Sequence, residues 1–90
     1  MMNEINRVSR NTSVVSLAGY ILRCLEVNAE APVLLHAIGA SSISQTVKSR
    51  IRAKNILAQQ NKKVIFDEWF TVNEIDGAER TGIIFSIALL

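Results

Sequence analysis

Val33-Leu34-Leu35-His36-Ala37-Ile38 is a nearly unbroken apolar run that lies between Pro32 and Gly39. A short apolar run with these flanks is typical of a strand in the middle of a sheet. Gly39-Ala40-Ser41-Ser42 then predicts a turn into a second helix, from about Ser42 to Gln59. This strand, turn and helix form the middle of the predicted fold, with further helix and strand segments on either side.

Towards the amino terminus, residues 3–10 carry two apolar positions among polar ones and predict a short edge strand. Thr12 or Ser13 is the expected cap of a first helix, because a hydroxyl accepts from the exposed N–H groups of a first turn. The helix is expected to end near Val27, and its apolar residues recur at helical spacing: Val14, Leu17, Ala18, Ile21, Leu22 and Leu25.

Towards the carboxyl terminus, residues 63–72 are rich in β-formers and aromatic residues. Ile75-Asp76-Gly77 carries the Asp-Gly signal of a tight hairpin. The segment after Arg80 is apolar at both alternating sets of positions, which predicts a strand that is central or covered by a partner. The predicted order is β-α-β-α-β-β, an α/β fold in a single domain over residues 1–90.

The second helix has two predicted faces. Its expected buried arc consists of Ile43, Val47, Ile51 and Ala58, and its expected exposed stripe consists of Ser41, Gln45, Lys48, Arg52 and Asn55. Arg50 and Lys54 fall on the apolar side. Either their charged ends reach solvent from its edge, or the helix ends earlier.

Size and composition limit the class of protein. A 90-residue chain of 10.0 kDa has room for one domain, and its marginal core favours an oligomer. Hydrophobic residues make up 49% and charged residues 20%, a globular composition. A single cysteine, Cys24, excludes an intrachain disulfide and favours a reducing, cytoplasmic setting. Neither a membrane-spanning run nor a signal-peptide core is recognisable, so a soluble protein without a membrane partner is expected.

Charge is distributed unevenly along the chain. Residues 31–66 contain no acidic residue and carry six of the ten lysines and arginines: Lys48, Arg50, Arg52, Lys54, Lys62 and Lys63. Five of the eight acidic residues follow directly: Asp67, Glu68, Glu74, Asp76 and Glu79. This asymmetry predicts one electropositive face, which is the footprint of an anionic partner.

Two motifs resemble the stage V sporulation protein S family. Ala37-Ile38-Gly39-Ala40, with Gln45, Val47 and Lys48 after it, looks like that family's strand-to-helix signature. Ile75-Asp76-Gly77-Ala78-Glu79-Arg80-Thr81 is similar to its hairpin pattern I-D-G-x-E-R-T. The resemblance extends from about Ile5 to Ala88, although residues 49–63 are more polar and basic than is usual in the family.

The resemblance implies an Alba-like two-layer sandwich, with a mixed four-stranded sheet and two helices, that assembles as a homodimer or a higher assembly. It also implies a regulatory or chromatin-like protein that binds DNA or RNA, in a sporulation or developmental setting. The alternative is a protein–protein interaction module that regulates sporulation or development without binding nucleic acid. The positions of the basic residues distinguish these two functions. Basic residues that form one stripe favour nucleic-acid binding, and basic residues scattered over the dimer favour the interaction module.

The expected contact residues surround the Gly39 turn. A glycine lets backbone approach a ligand, and a helix start offers free N–H groups to phosphate. The predicted nucleic-acid-binding residues, with Arg7 and Arg10 added through the Alba resemblance, are Arg7, Arg10, Ser41, Ser42, Gln45, Lys48 and Arg52. Phosphate contacts of this kind carry little base specificity. The alternative interpretation is a capped helix with a solvated face.

The remaining chemistry-bearing residues favour structural roles. Trp69 and Phe70 are interpreted as core or interface, with base stacking as the alternative. His36 has no metal-like neighbours in the sequence, and Cys24 has no resolving partner. The acidic hairpin tip is expected to fix the turn, with Glu79 and Arg80 paired to each other or to a partner subunit. No catalytic set, metal site, cofactor motif or small-molecule substrate is predicted, so an enzyme is not expected.

Overall fold

The computed structural model describes residues 4–90, so Asn3, part of the predicted first strand, lies outside the described residues. Its elements are β1 (Ile5–Arg7), α1 (Val14–Val27), β2 (Val33–Ile38), α2 (Ala40–Gln59), β3 (Val64–Ile75) and β4 (Ala78–Leu89). They form one sheet in the order β1-β2-β4-β3. The β1–β2 pair is parallel and the other two pairs are antiparallel. The predicted element order and mixed sheet are confirmed.

The two central strands, β2 and β4, form the floor of the core. Side chains alternate between the two faces of a strand, and β2 buries Val33, Leu35 and Ala37 beneath the helices. Their partners on β4 are Ile87, Phe85 and Ile83. The central position predicted for β2 is confirmed, and so is the one predicted for β4.

Helix α1 begins and ends where the sequence predicts. Ser13 is the N-cap, and its Oγ accepts a hydrogen bond of 3.0 Å from the N–H of Ser16. The face of α1 that contacts the core consists of Leu17, Ala18, Ile21 and Leu25. These residues are on the predicted apolar stripe, and the helix ends at Val27 as expected.

Helix α2 buries a different face from the one predicted. Its buried residues are Ser42, Thr46, Ser49, Arg50, Ala53 and Leu57. Thr46 Oγ1 and Ser49 Oγ donate to the carbonyls four residues earlier, at 2.8 Å and 2.6 Å, so the buried hydroxyls are satisfied within the helix. Of the predicted buried arc, Ile43 and Val47 are partly buried against the core. The arc is wrong for its other two residues, because Ile51 is 47% exposed and Ala58 is exposed.

Helix α2 also continues to Gln59 with Arg50 and Lys54 inside it, so it does not end early. Its end is a Schellman motif, in which Asn61 has a φ of 60°. The N–H of Asn61 donates to the Ala58 carbonyl at 3.1 Å, and the N–H of Lys62 donates to the Leu57 carbonyl at 3.0 Å.

Strands β3 and β4 form a hairpin of 12 residues a side, joined by Asp76 and Gly77. Both turn residues have positive φ, 52° and 77°, as a type I′ turn requires. Phe70 and Val72 lie on the same side of β3 as the packed Phe66, yet they are 77% and 75% exposed. The helices therefore cover only the first half of β3. Within residues 4–90, neither helix is long and apolar enough to cross a bilayer.

Candidate nucleic-acid interface

The outward side of α2 carries the strongest candidate surface, which we call the α2 ridge: Ser41, Lys48, Arg52 and Asn55. All four are exposed. At 100° per residue they point away from the sheet. Lys48 and Arg52 are four residues apart, which places two like charges on neighbouring turns where they repel each other. Because α2 contains no acidic residue, no side chain of the same helix offsets that repulsion.

A shallow groove of about 530 Å³ runs beside the ridge, between α2 and the start of α1. Its lining combines the two cations with polar and apolar side chains: Val14, Lys48, Ile51, Arg52, Asn55, Ile56 and Gln59. The mixture suits a sugar-phosphate backbone, which presents charged oxygens and less polar sugar edges.

The Gly39 turn begins α2 as expected, with a φ of 91° at Gly39 and no side-chain cap. Ser41 is exposed beside it, so its hydroxyl belongs to the accessible surface. Ser42 is only 4% exposed and points into the protein. The prediction that Ser42 joins the contact face is therefore corrected, because its position on the helix turns it towards the core.

Gln45 has a structural partner. Its Nε2 donates to the Thr12 carbonyl at 2.9 Å, and the residue is half-buried. This bond joins the β1–α1 loop, residues 8–13, to the second turn of α2. Arg10 is exposed on that loop. The structure thus brings the loop of Arg10 to the beginning of α2, and Gln45 is a positioning residue rather than an exposed contact.

Arg7 lies on the opposite side of the sheet from the α2 ridge. It is the register partner of His36, whose neighbours Leu35 and Ala37 point towards the helices. Burial, and secondly the charge of Arg7, lower the pKa of His36 from its usual value. The expectation that Arg7 and Arg10 share one face with the strand-to-helix turn is wrong for Arg7, because strand alternation sends its side chain to the face without helices.

The other cations of residues 31–66 do not extend the ridge. Arg50 is 6% exposed and belongs to the core. Its Nη1 lies 3.3 Å from Glu68 Oε2, in the one ion pair found within residues 4–90. Lys54 lies towards Phe66, 5.8 Å from the ring centroid. Lys62 and Lys63 follow the end of α2. The acid-free window therefore supplies two cations to the ridge rather than a continuous stripe of six.

The face without helices, which we call the open face, holds a polar cluster that the sequence did not predict. His36 Nε2 and Thr71 Oγ1 form a hydrogen bond of 2.8 Å, and Asn73 Nδ2 donates to the same oxygen at 2.9 Å. These residues come from two strands that do not pair with each other, β2 and β3. Gly82 of β4 is the register partner of Thr71, and its missing side chain leaves the space that Thr71 Oγ1 and Asn73 Nδ2 occupy. The sequence contains one indication of this cluster, which is Gly82 inside a predicted strand, because a glycine there often marks the close approach of other groups.

Trp69 and Phe70 are not core residues, so of the two predicted roles, core or interface, the core role is wrong and the interface role stays a prediction. Trp69 is 44% exposed, and Phe70 lies on the other face of β3. Cys24 is half-buried in α1. No cluster of three metal-ligating side chains exists in the part of the chain that the structure describes. Glu79 lies directly across from Glu74 rather than beside a cation on the partner strand.

Two comparisons with known proteins bear on this geometry. The family model of "Stage V sporulation protein S (SpoVS)" matches residues 4–89. Among solved structures, Alba from Thermoplasma volcanium superimposes with a TM-score of 0.69 and 12% sequence identity, over 94% of this chain and 99% of that one. The family match covers both predicted motifs, and the structural match establishes the Alba fold.

Proposed function

Since this chain belongs to the stage V sporulation protein S family and has the Alba fold, we propose that it binds nucleic acid through the backbone phosphates. The observation that carries the proposal is the α2 ridge, where Lys48 and Arg52 are exposed on an acid-free helix. Phosphate contacts are largely independent of base sequence. The proposed role is that of a regulatory or chromatin-like protein, in the sporulation setting that the family's name indicates.

The ridge favours an anionic polymer for an electrostatic reason. Lys48 and Arg52 repel each other at a spacing of four residues. A phosphate between them removes that repulsion and releases condensed counterions from the nucleic acid. Ser41 adds a hydroxyl close to the Gly39 turn, and Arg10 adds a cation on the loop that Gln45 holds beside α2.

The experiment is fluorescence anisotropy with labelled duplex DNA, duplex RNA and a single strand, each at two salt concentrations. We expect affinity to fall steeply with salt. Replacing Lys48 and Arg52 together with alanine is expected to weaken all duplex sequences alike and to reduce the slope of log K against log salt by about 2. The matched control replaces Lys62 and Lys63, which removes the same charge at the far end of α2.

An equal loss of affinity in both double variants would indicate general electrostatic attraction rather than contact with the α2 ridge. Unchanged affinity in the Lys48, Arg52 variant would refute the proposed contact. A folded protein that binds none of the three probes at low salt would favour the protein-interaction module instead. DNA and RNA are distinguished by the duplex that binds more tightly.

We also propose that the chain forms a homodimer through the helix side of the hairpin. Phe70 and Val72 are largely uncovered there, and Glu74 and Glu79 share their side of the strands. The nearby flank of α2 offers Ile51, which is 47% exposed, and the cation Lys54. An apolar and acidic hairpin thus complements an apolar and basic helix flank on a second copy. Such self-complementarity is what a two-fold interface needs.

Sedimentation tests the dimer. Replacing Phe70 and Val72 with serine is expected to give a monomer, because it removes the apolar centre of the interface. Ile65, 55% exposed on the opposite face of the same strand, provides the control, and Ile65→Ser is expected to leave the dimer intact. A monomeric native protein, or a Phe70, Val72 variant of native mass, would contradict this assembly.

A further inference from the structure

The open face of the sheet has an exposed aromatic residue on its edge strand β3. Trp69 is 44% exposed and lies in one register row with Ile84, His36 and Arg7, which crosses all four strands. Ile84, the register partner of Trp69 in that row, is 9% exposed, so the indole has a packed apolar side chain beside it. The face is separate from the α2 ridge, which lies on the far side of the helix layer.

Beside Trp69, the polar cluster of His36, Thr71 and Asn73 gives the face fixed hydrogen-bonding groups. Asn73 Nδ2 is held by Thr71 Oγ1 at 2.9 Å and by the Arg80 carbonyl at 3.3 Å. Because Gly82 has no side chain, Thr71 Oγ1 and Asn73 Nδ2 occupy the space above it. Side chains held in this way lose little further freedom when a ligand binds.

The charges of the hairpin are sorted between its two sides. Glu68, Glu74 and Glu79 share the helix side of β3 and β4. On the open-face side, Arg80 is the register partner of Asn73, and Arg7 lies at the other edge of the same face. The acidic residue of this face is Asp67, whose Oδ1 accepts from the N–H of Glu68. The open face therefore complements an anion, although the hairpin as a whole is acidic.

We propose that the open face binds single-stranded nucleic acid, with a base stacked on Trp69, its edge against Thr71, the adjoining nucleotide near Asn73, and phosphates near Arg7 and Arg80. An aromatic platform flanked by cations is how proteins bind unpaired bases. The faces of the bases are stacked inside a duplex and are not accessible. The open face is therefore expected to prefer single-stranded to duplex nucleic acid, whereas the α2 ridge contacts phosphates, which both forms present. The inference goes beyond the proposed phosphate contacts and depends on different residues.

Trp69 is the single tryptophan of the chain, so its own fluorescence reports stacking directly. The probes are a thymidine oligonucleotide of about 12 nucleotides, a length within the span of known single-strand sites, and an abasic strand of equal length. We expect the first to quench the fluorescence and the second, which keeps the phosphates but lacks the bases, to leave it unchanged. Equal quenching by both strands, or by neither, would overturn the proposal.

Variants separate stacking from fold and from the ridge. Trp69→Leu is expected to lose about 5- to 100-fold in single-strand affinity measured by anisotropy, the range seen for single stacking residues. Trp69→Phe keeps a ring and is expected to stay near native affinity. Tyr20→Leu replaces another exposed aromatic residue, on α1 in the helix layer, so it is the matched control and is expected to bind as the native chain does. Native affinity in Trp69→Leu would refute the platform.

Two further results distinguish the possible failures. The Lys48, Arg52 variant is expected to lose duplex affinity while the thymidine strand still quenches Trp69. Loss of quenching in that variant would mean that single strands use the ridge, and the open-face proposal would fail while the proposed function stands. A change of oligomeric mass in Trp69→Leu, with unchanged single-strand affinity, would show that a second copy covers the face and would also overturn the proposal.

Discussion

The guanidinium carbon of Arg50 lies 4.1 Å from the ring centroid of Phe66 and 4.7 Å from that of Phe85. Arg50 also donates from Nη1 to the Asp67 carbonyl at 3.2 Å and to Glu68 Oε2 at 3.3 Å. Its buried Nε has no hydrogen-bond partner among residues 4–90. This arginine joins α2 to β3 and stabilises the fold, so it is not available for nucleic acid.

Replacing Arg50 is expected to affect stability rather than binding. Arg50→Ala removes a side chain packed between two rings and is expected to lower the free energy of unfolding by about 2 kcal/mol. Arg50→Met keeps most of the volume and removes the unpartnered Nε, so it is expected to stay within about 1 kcal/mol of the native value. Urea denaturation measures both differences.

Two controls accompany the Arg50 series. The Glu68 side chain is 50% exposed, so Glu68→Gln is expected to cost less than about 1 kcal/mol. Arg23→Met, at an exposed position of α1, is expected to change stability by less than about 0.5 kcal/mol, as is usual for an exposed position. If Arg50→Met proves as destabilising as Arg50→Ala, the charge-assisted bonds outweigh the packing.

Gly82 is the position in β4 where a side chain does not fit. A Cβ there would lie 2.7 Å from Thr71 Oγ1 and 3.0 Å from the carbonyl oxygen of Ala37. Because the Ala37 oxygen belongs to the backbone and cannot rotate away, Gly82→Ala is expected to lower the free energy of unfolding by about 1–3 kcal/mol, measured by urea denaturation. A Cβ at Gly19 in α1 would have nothing within 4 Å of it. Gly19→Ala is therefore the control, expected to stabilise the helix by about 0.5–1 kcal/mol.

The Asp76-Gly77 turn gives a third prediction. Gly77 has a φ of 77° with open space around it, so Gly77→Ala is expected to cost about 1 kcal/mol through backbone strain alone. Asp76 has a φ of 52°, and Asp76→Asn is expected to change the stability little, because Asn tolerates the left-handed region. Thermal unfolding compares the two variants, and an equal loss in both would indicate that the Asp76 carboxylate has a role beyond the turn.

The pH dependence of stability follows from His36. Burial first and Arg7 second lower its pKa in the folded protein, whereas the unfolded chain keeps a value near 6.5. As pH falls below that value, the unfolded state takes up a proton before the folded state does, so stability is lost. The melting temperature at about pH 5.5, below the unfolded pKa of His, is expected to drop more for the native chain than for His36→Gln.

Arg7→Gln serves as the intermediate case. It removes the second cause of the shift and leaves the burial, so its loss of stability on acidification is expected to fall between those of the native chain and His36→Gln. All three proteins have the same carboxyl groups, so comparing their stabilities isolates the contribution of His36. A native chain that is no more acid-sensitive than His36→Gln would contradict the lowered pKa.

The candidate site was predictable only in part. The exposure of Lys48 and Arg52 followed from helical periodicity, because the residues that share their predicted stripe, Ser41, Gln45 and Asn55, are all polar. The side taken by Arg7 was not predictable, since it depends on the register of β1 against β2. A shift of one residue would have sent Arg7 to the helices.

The amino-acid sequence alone determined the local features: a helix cap at Thr12 or Ser13, the extent of α1, the central strand β2 and the Asp76-Gly77 hairpin turn. The cap, the helix and the turn depend on interactions between residues close together in the chain, and the central strand is indicated by its own apolar run. Tertiary structure decided that Arg50 is buried between two rings, that Ser42 turns inwards and that Trp69 stays exposed. Those outcomes depend on which distant segments fill the space around a side chain, and the residue types themselves permit either one.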